Sequence, residues 1–335
     1  MKKTEEFYFQ WHFLNECNLR CKHCYQENYC VQNLPLDKLM VIAGQITDAL
    51  RQWNMLGRLS LTGGEPFISP FLFDLAEYFD RHETIKQFDI LTNGTLITDA
   101  YIDRLKQFSK LRQIQISLDG SDAHTHDNVR GIGVFDTVVN TIERLRSSGI
   151  EVSIMFTLMK TNQHNAVNVI DFCEAHNINA VTIERVTPCG QSEVKDILTA
   201  DEIKNVYESI AERANTAPQT LKIRRLRPLW IKTIEKSFDK NNIGGFCPVG
   251  FTSLAILWDG TVLPCRRLNI PIGNLFKDGL YKTWYDSDLL WQIRDKNNLK
   301  GKCSGCSYIE RCGGCRAIAY EVTGDYMEGD PQCWD

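Results

Sequence analysis

Residues 7–25 read FYFQWHFLNECNLRCKHCY. The aromatic run over 7–13 reads as a β-strand. The loop that leaves it carries Cys17-x3-Cys21-x2-Cys24, three thiols within eight residues. A closed tetrahedral zinc site takes four ligands, and so does a fully ligated [4Fe-4S] cluster. A three-thiolate set therefore leaves one metal position open to substrate or cofactor. The spacing alone also admits a zinc ion completed by His23 or Cys30.

Working outward, short β-branched or aromatic runs alternate with helix-period segments, as in a parallel βα series. Strands are expected over 7–13, 58–61, 87–91, 113–118, 151–158 and 180–186, with helices centred near residues 45, 75, 103, 140 and 170. Six such units close only part of a (β/α)8 barrel, so the expected fold is α/β, a partial (β/α)6 barrel. Barrel active sites lie in the loops after the strands. The suggestive motifs here all follow strands, which points to one shared site.

Beyond residue 186 the pattern changes. Thr199 and Glu202 form a capping box ahead of a helical run over 203–214, and a basic stretch over 222–227 follows. The barrel is expected to span 1–214, a linker 215–246, and a loop-rich, metal-organised domain 247–335. The last segment holds Cys247, Cys265, Cys303, Cys306, Cys312, Cys315 and Cys333.

With 38 Lys+Arg against 42 Asp+Glu the net charge is −4, which removes the electrostatic footprint of a nucleic-acid binder. No apolar stretch approaches the roughly 20 residues of a membrane span. The start, Met1-Lys2-Lys3-Thr4-Glu5-Glu6, turns acidic before any apolar run and is no secretion signal. A reducing cytoplasmic location is expected, where 13 cysteines speak for metal rather than disulfides.

Cys17-x3-Cys21-x2-Cys24 followed by Tyr25 resembles the signature of the radical S-adenosylmethionine (SAM) enzymes. Leu61-Thr62-Gly63-Gly64-Glu65-Pro66 resembles that family's GGEP motif, which implies that Gly63, Gly64 and Glu65 receive the amino group of SAM. Leu91-Thr92-Asn93-Gly94-Thr95 and Ser117-Leu118-Asp119-Gly120 resemble segments that approach its ribose and methionine, which places Asn93 and Ser117 beside the cofactor. His126-Asp127-x2-Arg130-Gly131 is also family-like and assigns Arg130 to the SAM carboxylate, a role that its planar fork suits. The resemblance implies reductive cleavage of SAM to a 5'-deoxyadenosyl radical that takes hydrogen from a substrate, in an anaerobic oxidoreductase fed by flavodoxin or ferredoxin.

The C-terminal cysteines resemble the SPASM extension, which makes the loop-rich domain an iron-sulfur domain. By that resemblance Cys303, Cys306, Cys312 and Cys333 hold one auxiliary [4Fe-4S] cluster, while Cys247, Cys265 and Cys315 hold another, for three clusters in all. The chain has only Gly313-Gly314 between Cys312 and Cys315, where the family usually has three residues. Read locally, Cys303, Cys306, Cys312 and Cys315 would instead make a zinc knuckle. Cys189, in the turn Pro188-Cys189-Gly190, lies on the active-site side and is a candidate fourth ligand for the three-thiolate auxiliary cluster.

Sulfatase maturases of this family carry an aspartate after the cysteine of Gly-x4-Cys; here Arg266 stands there, and a cation cannot take a proton. The run Pro264-Cys265-Arg266-Arg267 looks instead like the peptide-maturase and tetrapyrrole-modifying branches. The leading expectation is a maturase that installs a crosslink or another side-chain or Cα change in a ribosomally made peptide. Sixteen residues precede Cys17, so a peptide substrate is expected to bind a separate leader-recognition protein or to dock directly on the barrel mouth and linker. Lys222, Arg224, Arg225 and Arg227 offer charge to an acidic leader or a propionate, or else form a solvated helix face. A haem-precursor modifying enzyme is the alternative within enzymes, and an iron-sulfur electron carrier the alternative outside them.

Overall fold

The computed structural model describes residues 5–26, 29, 33–224, 228–234 and 247–335. The aromatic N-terminal run forms β1 (Glu6–His12), whose alternation decides the layering. Phe7, Phe9 and Trp11 are fully buried and pack outward. Phe7 meets Trp53 of α1 (Leu36–Trp53), and Trp11 meets Phe79 of α2 (Leu72–Arg81). Side chains two apart share one face of a strand, so Gln10 points the other way, into the barrel. Each such aromatic removed from water contributes about 1.5–3 kcal/mol to holding the sheet under its helices.

The expected strands all form: β2 (Leu56–Thr62), β3 (Ile85–Thr92), β4 (Leu111–Ser117), β5 (Val152–Leu158) and β6 (Ala180–Arg185). They pair in parallel and in sequence from β1 to β6. Between them lie α3 (Asp99–Leu105), α4 (Ala123–Arg130), α5 (Val134–Ser147) and α6 (Asn168–Ala175). The unexpected one is α4, a helix of low apolar content started by Asp122, which accepts from the Thr125 amide. α7 (Ala200–Thr216) carries the expected capping box, with Thr199 and Glu202 bonding reciprocally.

The sheet does not stop at six strands. β7 (Lys222–Arg224) adds to β6, so this part of the basic stretch is a strand and not a helix face. Arg224 is half-buried and donates to Gln113, which withdraws it from any partner; Arg225 and Arg227 lie outside the described residues. On the other edge, β8 (Ser253–Ile256) pairs in parallel with β1, followed by antiparallel β9 (Thr261–Leu263) and β10 (Gly273–Asn274). The C-terminal segment is therefore more than loops around metal. Its first strand, SLAI, is buried throughout and extends the barrel sheet into one incompletely closed, ten-stranded sheet. The far end of the chain returns to the barrel through a buried two-bonded pair, Arg185 with Asp330, 2.8 Å at its shorter contact. Among the described residues no helix is long and apolar enough to cross a membrane.

Candidate active site and cysteine clusters

The loop after β1 is fixed from four directions. From the β2 loop, Gly64 donates its amide to the Leu14 carbonyl and Glu65 to the Glu16 carbonyl. From the end of β3, the Asn93 side chain donates to Asn18 at 2.9 Å. The Lys22 amide bonds the Val129 carbonyl of α4, and the Gln191 amide bonds the Cys24 carbonyl at 2.7 Å. The two glycines serve this contact: a Cβ on Gly63 would lie 2.4 Å from the Leu14 oxygen, and one on Gly64 only 1.9 Å from the Glu16 oxygen. They are needed for close approach to the cysteine loop itself.

Cys17, Cys21 and Cys24 line a cavity at the C-terminal ends of the strands, together with Tyr25, Gly63, Gly64, Asn93, Ser117 and Arg130. Glu65 lies behind this wall, wholly buried, accepting from Thr92 Oγ1 at 2.7 Å and from the amides of Phe67 and Asn93. Its geometry is that of a positioning residue, joining the ends of β2 and β3. Burial, only partly offset by those three donors, raises its pKa to about 7. The Asn93 side-chain oxygen is likewise engaged, by Thr95.

Arg130 is 7% exposed and held by Asp119, which accepts from its Nε at 2.6 Å. Asp119 also receives His23 Nε2 at 2.6 Å and the Thr157 amide. Burial opposes the charge of Asp119, but Arg130 and His23 more than offset it and hold the carboxyl well below the usual range. Arg130 thus keeps its two terminal nitrogens toward Cys21 and His23, with Nη1 3.6 Å from the Cys21 sulfur. His23 is committed to Asp119, which weakens it as a zinc ligand; Cys30 lies outside the described residues. Burial pushes the Cys17 thiol up to about 11 and raises Cys21, so these thiols are protonated unless metal displaces the proton.

In the C-terminal region Cys303, Cys306, Cys312 and Cys333 line one small cavity with Gly313 and Gly314. Cys315 does not. The zinc-knuckle set 303, 306, 312 and 315 is accordingly not the set that shares a cavity. Gly314 sits at φ 65°, and a Cβ there would meet the Asp330 side chain at 2.9 Å and the Cys303 sulfur at 3.1 Å. Cys315 instead packs in one apolar cluster with Cys247 and Cys265, to which Cys303 also belongs, and Cys315, Cys247 and Cys265 lie within electrostatic reach of Arg267. Among the described residues no three His, Cys, Asp or Glu side chains close up as a single-ion site would require. Cys265 and Cys189 also line the barrel cavity, so the two cysteine regions meet there.

A model of the Radical SAM superfamily matches residues 11–173, and one of the SPASM iron-sulfur cluster-binding domain matches residues 247–307. The chain is 30% identical to the AdoMet-dependent heme synthase of Nitratidesulfovibrio vulgaris, over 96% of this chain and 90% of that one. The chain belongs to the radical SAM superfamily. It is a radical SAM enzyme with a C-terminal SPASM domain. It is also 28% identical to the heme synthase of Methanosarcina barkeri, over 96% and 95% of the two chains. Against the mycofactocin maturase MftC of Mycobacterium tuberculosis the figures are 26%, 96% and 81%. Among solved structures, Streptococcus suis SuiB bound to its precursor peptide SuiA shares the fold at TM-score 0.78 and 19% identity, covering 99% of this chain and 76% of that one.

Membership of this superfamily implies SAM and iron-sulfur clusters, and the thiols fit them. Amide or guanidinium donors lie close to Cys17 (Leu19 N, 3.5 Å), Cys24 (Gln26 N, 3.5 Å), Cys312 (Leu229 N, 3.3 Å) and Cys303 (Arg316 Nη2, 3.6 Å). Hydrogen bonds to the sulfurs are among the factors that set the reduction potential of a thiolate-bound cluster. Sequence reasoning quoted Asp119 within a motif, His23 as a candidate zinc ligand and Arg266 and Arg267 beside Cys265, but did not assign Asp119 and His23 to orienting Arg130, did not place Arg266 and Arg267 on the cavity wall, and missed Arg185 there. It missed Gln10, Gln115 and Thr157 as well, although the alternation within β1, β4 and β5 held the signal: apolar positions face the helices, and the polar ones between them face the cavity.

Proposed function

We propose that this radical SAM/SPASM enzyme is a peptide maturase, which abstracts hydrogen from a ribosomally made peptide and installs a crosslink or another side-chain or Cα change. The observation that carries this reading is the shared cavity, lined both by Cys17, Cys21 and Cys24 and by Cys265 of the C-terminal region. A substrate there lies within reach of two redox centres, as a reaction that removes a hydrogen atom and then an electron requires. Cys17, Cys21 and Cys24 would hold a cluster that, with SAM bound beside it, would supply the electron and the hydrogen-abstracting radical.

The chain's own residues do the rest in this reading. Arg130, oriented by Asp119, holds the SAM carboxylate. The backbone at Gly63 and Gly64 meets its amino group, Asn93 and Ser117 flank its ribose and methionine, and Tyr25 walls the cavity. Cys303, Cys306, Cys312 and Cys333 hold a closed auxiliary cluster; Cys247, Cys265 and Cys315 hold the second, with Cys189 beside it in the same cavity. We further assign residues 1–214 to the barrel, 215–246 to a linker and 247–335 to the auxiliary-cluster domain, although β8 pairs across that boundary. A leader-recognition protein presents the peptide, and a flavodoxin or ferredoxin delivers electrons in a reducing cytoplasm.

The heme-synthase relatives favour a second reading, a tetrapyrrole with propionate side chains in the same cavity. The test is anaerobic reconstitution, metal analysis, and product formation with peptide and tetrapyrrole candidates. Three clusters give about 12 iron per chain and no zinc. Cys265→Ala is expected to keep 5'-deoxyadenosine formation and lose product. Unchanged product formation in that variant would refute the shared-cavity argument, and about four iron with one zinc would remove the auxiliary clusters.

A further inference from the structure

Four arginines line the active-site cavity, and three are matched with carboxylates: Arg130 with Asp119 at 2.6 Å, Arg185 with Asp330 at 2.8 Å, and Arg267 with Glu184 at 3.3 Å. Arg266 differs. Among the described residues no carboxylate lies within ion-pair distance of it. Its guanidinium stacks on the Tyr25 ring at 4.2 Å, and one terminal nitrogen reaches the Tyr25 carbonyl at 3.3 Å. Among the described residues its buried Nε has no partner.

Arg266 and Tyr25 also wall an adjoining cavity of about 160 Å³, whose other walls include His12, Asn15, Trp258 and Asn269. That space holds several water molecules, and so a carboxylate with the amide next to it. His12 is 3% exposed, and among the described residues its Nε2 likewise has no partner. A cation and an imidazole, each with one nitrogen unpaired among the described residues, thus border one chamber beside the reaction cavity. Leaving such groups unmatched is costly, and a ligand that satisfies both removes the cost. Burial, and then the charge of Arg266, hold the imidazole neutral, with the Gly63 backbone in hydrogen-bond reach. When the other ring nitrogen gives its proton to the Gly63 carbonyl, Nε2 is an acceptor.

We propose that this chamber anchors the substrate by a carboxylate, taken by the Arg266 guanidinium, while the adjoining amide N–H of a peptide donates to His12 Nε2. The amide half rests on the peptide reading above; the carboxylate half does not. A guanidinium fork is the side chain suited to two-point capture of a carboxylate, and Arg266, held only by Tyr25 and with no carboxylate near it among the described residues, is placed to make it. Anchoring one step from the main cavity leaves the neighbouring carbons of the substrate to face the barrel mouth.

The test uses cluster-loaded enzyme with SAM in equilibrium dialysis. One probe is a pool of N-acetylated hexapeptides with free carboxyl termini, against the same pool amidated. The other is coproporphyrin III, against its tetramethyl ester. The expected result is that peptide acids are retained about tenfold over amides. The ratio falls to near one in Arg266→Gln, Arg266→Lys recovers part of it, and His12→Leu weakens retention of the peptide acids. Equal retention of acid and amide, and of acid and ester, by the unaltered enzyme overturns the proposal without any variant. Full discrimination in Arg266→Gln also overturns it. So does a changed auxiliary-cluster spectrum with discrimination intact, which would make Arg266 a counter-ion to that cluster. If coproporphyrin alone shows discrimination, and loses it in Arg266→Gln but not in His12→Leu, the carboxylate anchor stands and the peptide reading falls.

Discussion

The loop after β1 and the segment from Cys303 to Cys333 keep their thiols in different settings. Cys17, Cys21 and Cys24 are half-buried, face a broad cavity, and are held by hydrogen bonds from two neighbouring strand ends, from α4 and from the turn at Gln191. Cys303, Cys312 and Cys333 are buried around a small cavity in a region of short elements, Cys312 and Cys333 at the margin of the main core and Cys303 in a smaller apolar cluster with Cys315. A metal site that must exchange ligands needs a frame that stands without the metal. A site that only holds its metal can let the metal serve as core. The barrel supplies the frame in the first case, and the thiols themselves supply much of it in the second.

The sharpest way to break this comparison is to remove one thiol from each region. Cys21→Ala is expected to lower 5'-deoxyadenosine formation by about 10³-fold or more, since without the site the uncatalysed cleavage has no electron donor. On the proposed three-cluster reading it should keep about 8 of 12 iron, with a near-normal melting temperature. Cys312→Ala should do the reverse in stability: loss of about four iron and a melting temperature lower by several degrees, with SAM cleavage partly retained. Chromatographic detection of 5'-deoxyadenosine, iron analysis and thermal melts on the same samples decide it. Equal destabilisation by both changes would mean that the barrel loop also depends on its metal.

A smaller effect separates frame from filling. In Gly64→Ala the new Cβ must displace the Glu16 carbonyl, so a loss of about 2–4 kcal/mol and poor loading of the loop cluster are expected. Gly305, between Cys303 and Cys306, has φ 73°, and a Cβ there would meet nothing within 4 Å. Gly305→Ala should therefore show only the backbone strain of that conformation, about 1 kcal/mol. Denaturant melts and iron content after reconstitution measure both.

The strands of the barrel were legible because each is long enough to show its aromatic or β-branched character, and the motifs because they stand at strand ends. β7 to β10 are two to four residues long and carry no period, so the continuation of the sheet past residue 214 was hidden. Arg130 was readable from its motif. Its orienting partner Asp119 was not assigned, because the link to His23 spans 96 residues and exists only in space. Arg266 was read by the proton it cannot accept. Its lack of a carboxylate is a property of neighbours brought together by folding, as is the division of Cys312 and Cys315 between two clusters of contacts.

Two buried carboxylates carry the comparison into pH. Glu65, in the barrel, has its pKa raised to about 7 by burial; Asp330, in the C-terminal region, is buried too, but Arg185 and backbone donors hold its pKa below the usual value. A raised carboxyl means that the folded state holds a proton the unfolded chain releases near pH 4.5. Its stability contribution is full below that pH and is lost as pH rises to about 7, by about 3 kcal/mol in order of magnitude. Asp330 has the opposite sign: its contribution is present above its unfolded pKa, disappears only as pH falls through its lower folded one, and adds no slope near neutrality. Between pH 5 and pH 7 the wild-type melting temperature should therefore fall with a component that Glu65→Gln removes, because glutamine has no proton to lose. Gln at 65 retains an acceptor for Thr92 and Phe67 but sets an amide against the Asn93 N–H, so the variant should start lower at pH 5 and run flatter. Equal slopes in the two proteins would show that Glu65 is ionised throughout. The three donors around it would then outweigh its burial, and the barrel's buried carboxylate would behave like the one at the other end of the molecule.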